Sequence, residues 1–184
     1  MLDVINDLEF PGGARLLRHA VPMARRLARL KARARRAGIP AVYVNDNYGR
    51  WRSDFRHLTA HCRQAGVRGR PIAELLAPDT DDYFVLKPKH SGFYSTTLDV
   101  LLAYLGARTL VLTGMAGNIC VLITAHDAHM RDFRLVVPAD CIASETSGDN
   151  RRALAAMRDL LGADVTPSTR LRLGSLLGRR GGPT

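Results

Sequence analysis

The segment Thr109-Leu110-Val111-Leu112-Thr113 is the clearest indication of the fold class. It is a near-continuous apolar run, and a glycine turn follows it directly. Strands that are buried on both faces of a parallel sheet have such runs. The turn, Gly114-Met115-Ala116-Gly117-Asn118, leads into a helix predicted to begin near Ile119. A buried strand, a glycine turn and a helix in this order indicate one unit of a parallel α/β sheet.

The same alternation of helix and strand extends to both ends of the chain. Pro22 suits the first turn of a helix, which Gly38 and Pro40 end. The other predicted elements are strands at 41–44, 83–86 and 135–137, a weak strand at 164–166, and helices at 54–64, 97–105 and 149–161. We therefore predict an α/β fold, a single-domain Rossmann-like three-layer sandwich with a mostly parallel central sheet.

Length and composition favour one folded domain. The chain has 184 residues, of which 46% are apolar and 24% charged, and a chain of this size buries roughly 70% of its unfolded surface. This excludes disorder for most of the chain. We expect one folded domain over 1–168 and a flexible basic tail over 169–184. No apolar run reaches the length of about 18 residues that a bilayer requires, and Met1-Leu2-Asp3 lacks the features of a signal peptide. We therefore predict a cytoplasmic protein with no membrane partner.

The net charge of +10 raises the question of a nucleic-acid partner. The stretch from Arg15 to Arg36 contains nine basic residues and no acid. A solvated helix face is the favoured interpretation, and phosphate binding is the alternative. The stretch has no interleaved aromatic residues and matches no nucleic-acid-binding signature. We therefore do not expect nucleic acid as a partner.

Three polar residues follow predicted strands, where ligands bind in parallel sheets. Asp3 follows the stub Met1-Leu2, Lys87 ends the strand at 83–86, and Cys120 follows the glycine turn. At the first turn of a helix, the helix dipole and a nearby ammonium favour a thiolate nucleophile. A carboxylate can take the thiol proton and return it to a leaving amine, while backbone N–H groups of the turn bind the oxyanion. Hydrolysis of a carbon–nitrogen bond needs these groups.

Each of these residues also has an ordinary structural interpretation. Lys87 could extend along the surface to water, and Asp3 could be a turn residue. Cysteines are usually small buried apolar residues, and we interpret Cys62 and Cys141 in that way. The pairs His57 and His61, and His126 and His129, are interpreted as structural or surface residues because the glutamate of a zinc-binding HExxH motif is missing.

Three motifs in order make the chain similar to the isochorismatase-like cysteine hydrolase superfamily, from Asp3 to about Pro167. They are Asp3-Val4-Ile5-Asn6-Asp7-Leu8, Lys87-Pro88-Lys89-His90-Ser91-Gly92-Phe93 and Thr113-Gly114-Met115-Ala116-Gly117-Asn118-Ile119-Cys120-Val121. The resemblance implies a catalytic triad of Asp3, Lys87 and Cys120. It also implies a cis peptide at Met115–Ala116, an oxyanion hole from the N–H groups of Ala116 and Cys120, and a homo-oligomer that acts on a small-molecule substrate.

The sequence departs from this family at three places. Only Met1 and Leu2 precede Asp3, so either the chain begins upstream or the first strand is clipped. Gly117 stands where the family usually has threonine or serine, which would loosen the turn or widen the pocket. Nicotinamidases of the family carry a metal-binding Asp-x-His, whereas this chain has Asp46-Asn47-Tyr48. We therefore expect no metal and no cofactor.

The segment 45–52 combines the only tryptophan of the chain with two arginines, after a strand. It is either an ordinary loop or a pocket wall that recognises a planar or anionic substrate. The residues predicted to bind substrate are Asn45, Tyr48, Trp51, Phe93 and Asn118. The leading hypothesis is a metal-independent cysteine hydrolase that cleaves an amide or carbamoyl-type bond. One alternative is vinyl-ether hydrolysis of the isochorismatase kind, in which Asp3 would dominate. The other is a non-catalytic protein that binds an anionic partner through its basic helix.

Overall fold

A computed structural model describes residues 1–48 and 54–176. Trp51, predicted to bind substrate, and residues 177–184 of the predicted tail lie outside the described residues. Six α-helices are described: α1 (Gly13–Arg36), α2 (Phe55–Cys62), α3 (Arg70–Leu75), α4 (Leu98–Tyr104), α5 (Leu122–His129) and α6 (Ser147–Leu161). The described strands are β1 (Val42–Asp46), β2 (Tyr83–Lys87), β3 (Thr109–Val111), β4 (Gly114–Met115), β5 (Arg134–Val136) and β6 (Ile142–Ala143).

Every described strand pair is parallel, as the alternating pattern predicts. Strand β1 pairs with β2, β3 with β5, and β4 with β6. Leu2 forms one bridge to Val44 of β1 and another to Gly114 of β4. The dipeptide before Asp3 is therefore a short central strand, which joins the two halves of the sheet and places Asp3 at its carboxyl edge.

The segment 109–113 is not one continuous strand. Residues 109–111 form β3, which pairs with β5. Residues 114–115 form the separate strand β4, which pairs with β6. Two further predicted boundaries also differ. The weak strand predicted at 164–166 is a single bridge between Val136 and Asp164, and the short helix α3 was not predicted.

Helix α1 begins at Gly13, well before the predicted start at Pro22. Proline removes one helical hydrogen bond, to the carbonyl group four residues earlier. Both Pro22 and Arg18 are exposed, so water can reach that carbonyl group. The apolar stripe also continues on both sides of Pro22, from Leu16 to Leu30. The burial of this stripe stabilises a helix that passes through the proline.

Two apolar cores lie on the two faces of the sheet and form the layers of the sandwich. One contains residues of α1, α2 and α3, and the other contains residues of α4, α5 and α6. Cys62 belongs to the first core, as does Cys141, and both are fully buried. This confirms that neither thiol faces solvent. No described helix is both long enough and apolar enough to cross a bilayer.

The basic face of α1 has acidic partners from distant parts of the chain. Lys31 Nζ lies 2.5 Å from an Asp82 oxygen and 3.0 Å from an Asp79 oxygen. Arg35 also contacts Asp79, at 3.0 Å. The absence of acids within the run 15–36 therefore says little about its charge balance in the folded protein.

The segment after the predicted domain boundary at residue 168 packs on α1. Arg33 donates hydrogen bonds to the carbonyl oxygens of Ser168 and Leu171, at 2.6 and 2.5 Å. Leu171 and Leu173 are buried. The packed structure thus continues past residue 168, as far as the described residues reach.

Candidate active site

The structure brings Asp3, Lys87 and Cys120 together at the carboxyl edge of the sheet. Asp3 follows the bridge at Leu2, Lys87 is the last residue of β2, and Cys120 lies in a π-helical turn after β4. An oxygen of Asp3 lies 2.9 Å from Lys87 Nζ, and Lys87 Nζ lies 3.6 Å from Cys120 Sγ. A carboxylate, an ammonium group and a thiol are thus in mutual contact.

The backbone around Asp3 explains how such a short strand holds this side chain. The Asp3 N–H donates to Val44 O at 2.9 Å, and Asp3 Oδ1 accepts from the Asp46 N–H at 2.7 Å. Asp3 has a φ of 51°, in the left-handed region that Asp and Asn tolerate better than most residues. Strand β1 therefore fixes both the backbone and the carboxylate of Asp3.

Gly114 permits the close approach of the N-terminal dipeptide. Its φ is 113°, and an added Cβ atom would overlap the backbone carbonyl of Leu2. Only glycine both adopts this positive φ readily and leaves room for the backbone of Leu2, because it has no Cβ atom. Pairing of Leu2 with β4 in the sheet therefore requires glycine at the first position of the predicted turn.

Lys87 is completely buried, so the interpretation as a surface lysine that extends to water is wrong. A buried ammonium group needs ionic or hydrogen-bonding partners. Asp3 supplies the nearest carboxylate, and Asp46 Oδ2 lies 3.8 Å from the same nitrogen. Burial alone would lower the pKa of Lys87, but the Asp3 carboxylate raises it. Lys87 is therefore a fixed positive charge beneath the sulfur atom.

The thiol of Cys120 is not the ready thiolate that its place at a helix start predicts. Burial, and next the charge of Asp3, raise its pKa to about 12, although Lys87 acts in the opposite direction. Lys87 does favour the thiolate, as predicted, but burial and the charge of Asp3 outweigh its effect on the Cys120 pKa. Cys120 is a neutral thiol at pH 7, so its proton must move to a base before sulfur can attack a carbonyl carbon.

The turn before Cys120 has the predicted cis peptide bond between Met115 and Ala116. No empty space lies beside Gly117 where a larger side chain would fit. A Cβ atom on Gly117 would lie 2.7 Å from Asn150 Oδ1 and 3.0 Å from Ser144 Oγ. Ser144 Oγ also accepts a hydrogen bond from the Asn118 N–H at 3.2 Å. Side chains from α6 and the segment before it therefore occupy the space that a larger residue at 117 would need.

The three residues meet below a cavity of about 630 Å³, large enough for a small molecule. Asp3 and Cys120 line its floor together with Met115 and Ala116. Ala116 and Cys120 are thus placed where their backbone N–H groups could face a substrate carbonyl oxygen.

The predicted substrate-binding residues separate into two groups. Tyr48 and Asn118 line the cavity. Asn45 does not, because it is fully buried and donates to the Ile5 carbonyl oxygen at 2.6 Å. Phe93 is also buried, with its ring against Phe133. The structure therefore places neither side chain on the cavity wall, and substrate binding by Asn45 or Phe93 stays a prediction.

Sequence reasoning missed several residues of the cavity wall, among them Arg15, Glu145 and His90. Arg15 and Glu145 form an ion pair of 2.7 Å across it, although they are 130 residues apart in the chain. Only tertiary structure brings this pair together. His90 Nδ1 lies 3.9 Å from Cys120 Sγ. Its position three residues after Lys87, in the same motif, was the available signal.

The segment that replaces the nicotinamidase metal motif contributes to the site in another way. Asp46 contacts Lys87 and donates its N–H to Asp3, and its Oδ1 accepts from the Tyr48 N–H at 2.6 Å. Across residues 1–48 and 54–176, no group of three or more His, Cys, Asp or Glu side chains is arranged to bind a metal ion.

A parallel α/β sheet that holds a thiol, a carboxylate and an ammonium group at its carboxyl edge defines a class of hydrolase-like sites. Comparison with known proteins agrees. The Isochorismatase domain family matches residues 1–170. The isochorismatase family protein YaaI of Bacillus subtilis, itself uncharacterised, is 42% identical over 166 residues, which cover 90% of this chain and 91% of YaaI.

Two further relatives have named activities. The ureidoacrylate amidohydrolase RutB of Methylorubrum extorquens is 31% identical over 159 residues, which are 76% of this chain and 63% of RutB. The crystal structure of N-carbamoylsarcosine amidase from Thermoplasma acidophilum superposes with a TM-score of 0.71 at 26% identity, over 93% of this chain and 95% of the amidase. The chain belongs to the isochorismatase family and is a hydrolase.

Proposed function

We propose that this protein cleaves the carbon–nitrogen bond of a small amide or carbamoyl compound through a thioester on Cys120, without a metal ion. The observation that carries the proposal is the contact of Asp3, Lys87 and Cys120 on the floor of the cavity. Two relatives named as an amidohydrolase and an amidase support the type of bond.

In the proposed acylation step, Asp3 accepts the Cys120 proton as sulfur attacks the substrate carbonyl carbon. The oxyanion accepts hydrogen bonds from the N–H groups of Ala116 and Cys120, which are worth several kcal/mol in comparable sites, about 3–4 each. Asp3 then returns the proton to the nitrogen as the carbon–nitrogen bond breaks. Lys87 holds Asp3 in place and balances the negative charge of the site.

The test is a panel of small amides, carbamoyl compounds and isochorismate, with released ammonia or pyruvate as the readout. We expect ammonia from at least one amide or carbamoyl compound. Cys120→Ala and Asp3→Asn should each abolish this release, whereas Cys62→Ala, which removes a buried thiol elsewhere, should retain it. If Cys120→Ala spares turnover while Asp3→Asn abolishes it, the reaction is the vinyl-ether type and the thioester proposal is wrong.

Independence from metal ions is tested by prolonged incubation with a strong chelator. The site residues in contact are a thiol, a carboxylate and an ammonium group, and the last cannot bind a cation. We expect full activity after chelation. Loss of activity that zinc restores would contradict this part of the proposal.

We propose in addition that the protein assembles as a homo-oligomer. An apolar patch formed by Phe84, Val100 and Tyr104 lies on β2 and α4, and the Tyr104 side chain is among the most exposed apolar ones. A second copy that covers this patch would remove apolar area from water. Light scattering at micromolar concentration should give at least a dimer mass, and Tyr104→Glu should lower it. A monomeric mass for the unchanged protein would contradict the proposal.

A further inference from the structure

The sulfur atom of Cys120 has two different sides. On the buried side, Lys87 Nζ lies 3.6 Å away, and Asp3 contacts both the ammonium group and the thiol. On the open side, the imidazole of His90 has its Nδ1 3.9 Å from Sγ. Both Asp3 and His90 line the cavity, but Asp3 is buried whereas His90 is exposed.

The two sides suit the two halves of a thioester reaction differently. Asp3 is well placed for the proton of the buried thiol, but Oδ1 already accepts from the Asp46 N–H and Oδ2 contacts Lys87. Water that attacks a thioester has to arrive from the cavity, because Asp3 and Lys87 are buried. A base for that water is better placed on the cavity wall, within reach of the sulfur-bound carbonyl group.

The loop that carries His90 is tied to the helix that follows Cys120. The Gly92 N–H donates to Thr124 Oγ1 at 3.0 Å, and Ser91 Oγ donates to the carboxylate of Asp127. Both acceptors lie on α5, which begins two residues after Cys120. These bonds fix the distance between the imidazole and the sulfur atom, as general-base catalysis requires.

We infer that His90 is the general base that hydrolyses the thioester, an inference that rests on the proposed role of Cys120. Its Nδ1 accepts a proton from water as the water oxygen bonds to the carbonyl carbon. The tetrahedral intermediate then collapses, the carbon–sulfur bond breaks, and sulfur leaves with the electron pair. The imidazolium returns its proton to sulfur, which restores the thiol and releases the acid. The step requires the tautomer with hydrogen on Nε2.

The experiment uses p-nitrophenyl acetate, because this activated ester can acetylate Cys120 whatever the natural substrate is. A burst of p-nitrophenolate reports acylation, and the steady-state rate reports hydrolysis of the acetyl thioester. In His90→Asn, we expect the burst rate to stay close to that of the unchanged protein. The steady-state rate should fall about 10²–10⁴-fold, the usual contribution of a general base, and intact mass spectrometry should show one acetyl group, on the Cys120 peptide.

Hydroxylamine separates a chemical role from a structural one. It attacks thioesters without a general base, so it should restore turnover in His90→Asn, whereas a distorted site would not recover. His129→Asn removes an exposed histidine at the end of α5 and is the matched control, with both phases expected unchanged.

The possible outcomes separate this inference from the proposed function. If His90→Asn slows the burst as much as the steady state, or accumulates no acetyl enzyme, His90 is not the base for water. Because Cys120 would still be acetylated in the unchanged protein, the proposed nucleophile would stand. If Cys120→Ala shows the same burst as the unchanged protein, the nucleophile is wrong and the inference about His90 fails with it.

Discussion

Two ion pairs of nearly equal length border the same cavity, and they differ almost entirely in burial. Asp3 and Lys87 approach to 2.9 Å with side-chain exposures of 7% and 0%. Arg15 and Glu145 approach to 2.7 Å with exposures of 67% and 35%. The distance between two charges therefore says little about what an ion pair contributes to the protein.

Water explains the difference. Charges in the interior interact strongly, but each has lost its hydration, so removal of one partner leaves the other unsatisfied. Charges at the surface are hydrated and screened by salt, and the pair contributes little. We therefore expect the buried pair to control stability and the protonation of Cys120, and the exposed pair to control neither.

The largest expected effect is on folding stability. Lys87→Met leaves the Asp3 carboxylate buried without its ammonium partner, and we expect the free energy of unfolding to fall by about 3–5 kcal/mol. Urea denaturation measures this change. Lys89→Met, two residues along the same segment and exposed, is the matched control and should change stability little.

A double variant tests whether the unpaired carboxylate causes this loss of stability. Asn tolerates the positive φ of Asp3, so Asp3→Asn combined with Lys87→Met removes both charges with little backbone strain. The double variant should be more stable than Lys87→Met alone, although still inactive. Equal destabilisation of the two would mean that packing of the lysine side chain, and not the unpaired carboxylate, explains the loss.

The next effect is on the reactivity of Cys120 with pH. Because its pKa is about 12, the thiolate fraction should rise about tenfold per pH unit, and hence about a hundredfold between pH 8 and 10. Alkylation by iodoacetamide, followed on the Cys120 peptide by mass spectrometry, measures the profile. A plateau below pH 9 would contradict the view that the resting site holds a neutral thiol.

Raised thiol pKa values in the folded protein also predict that it loses stability in alkali. Burial raises the pKa of Cys62 and Cys141, as well as that of Cys120, to about 12 in the folded protein. The unfolded chain loses these thiol protons at lower pH than the folded protein does. The free energy of unfolding should therefore decrease as pH rises from about 9 toward 12. Urea titrations across this range measure the decrease.

A smaller effect concerns the carboxylate beside the thiol. Asp3→Asn removes a negative charge that raises the Cys120 pKa, so the thiol should lose its proton more easily. We expect iodoacetamide to alkylate Cys120 about tenfold faster at pH 8, after allowance for the weaker nucleophile. Turnover should nevertheless be lost, because the proton acceptor is gone. Slower alkylation would show that Asp3 activates the resting thiol.

The smallest effect is expected at the exposed pair. Arg15→Met or Glu145→Gln should change the free energy of unfolding by about 0.2–1 kcal/mol, and less at 1 M salt. Urea denaturation at low and high salt measures both values. A loss comparable with that of Lys87→Met would contradict the view that burial determines how much each ion pair contributes to stability.

The parallel sheet and the meeting of Asp3, Lys87 and Cys120 at its carboxyl edge could be predicted from the sequence, because both depend on local patterns. Apolar strands with a polar residue at the carboxyl end are visible from a few neighbouring letters. The pairing of Arg15 with Glu145 and the burial of Asn45 and Phe93 depend on how distant segments pack. The pKa of Cys120 could not be predicted either, since the helix dipole is visible from sequence whereas burial and the charge of Asp3 appear only in three dimensions.

The central position of Leu2 has a consequence for the order of folding. This residue bridges one strand near residue 44 and another near residue 114, so the site forms only after segments far apart in the chain have met. Closing such long loops costs chain entropy before the contacts compensate for it, which slows folding. Within a growing polypeptide, Asp3 is made well before the strand near residue 114 that completes its surroundings. An incomplete chain that ends before residue 114 would therefore hold the acid of the site but not the sheet that orients it.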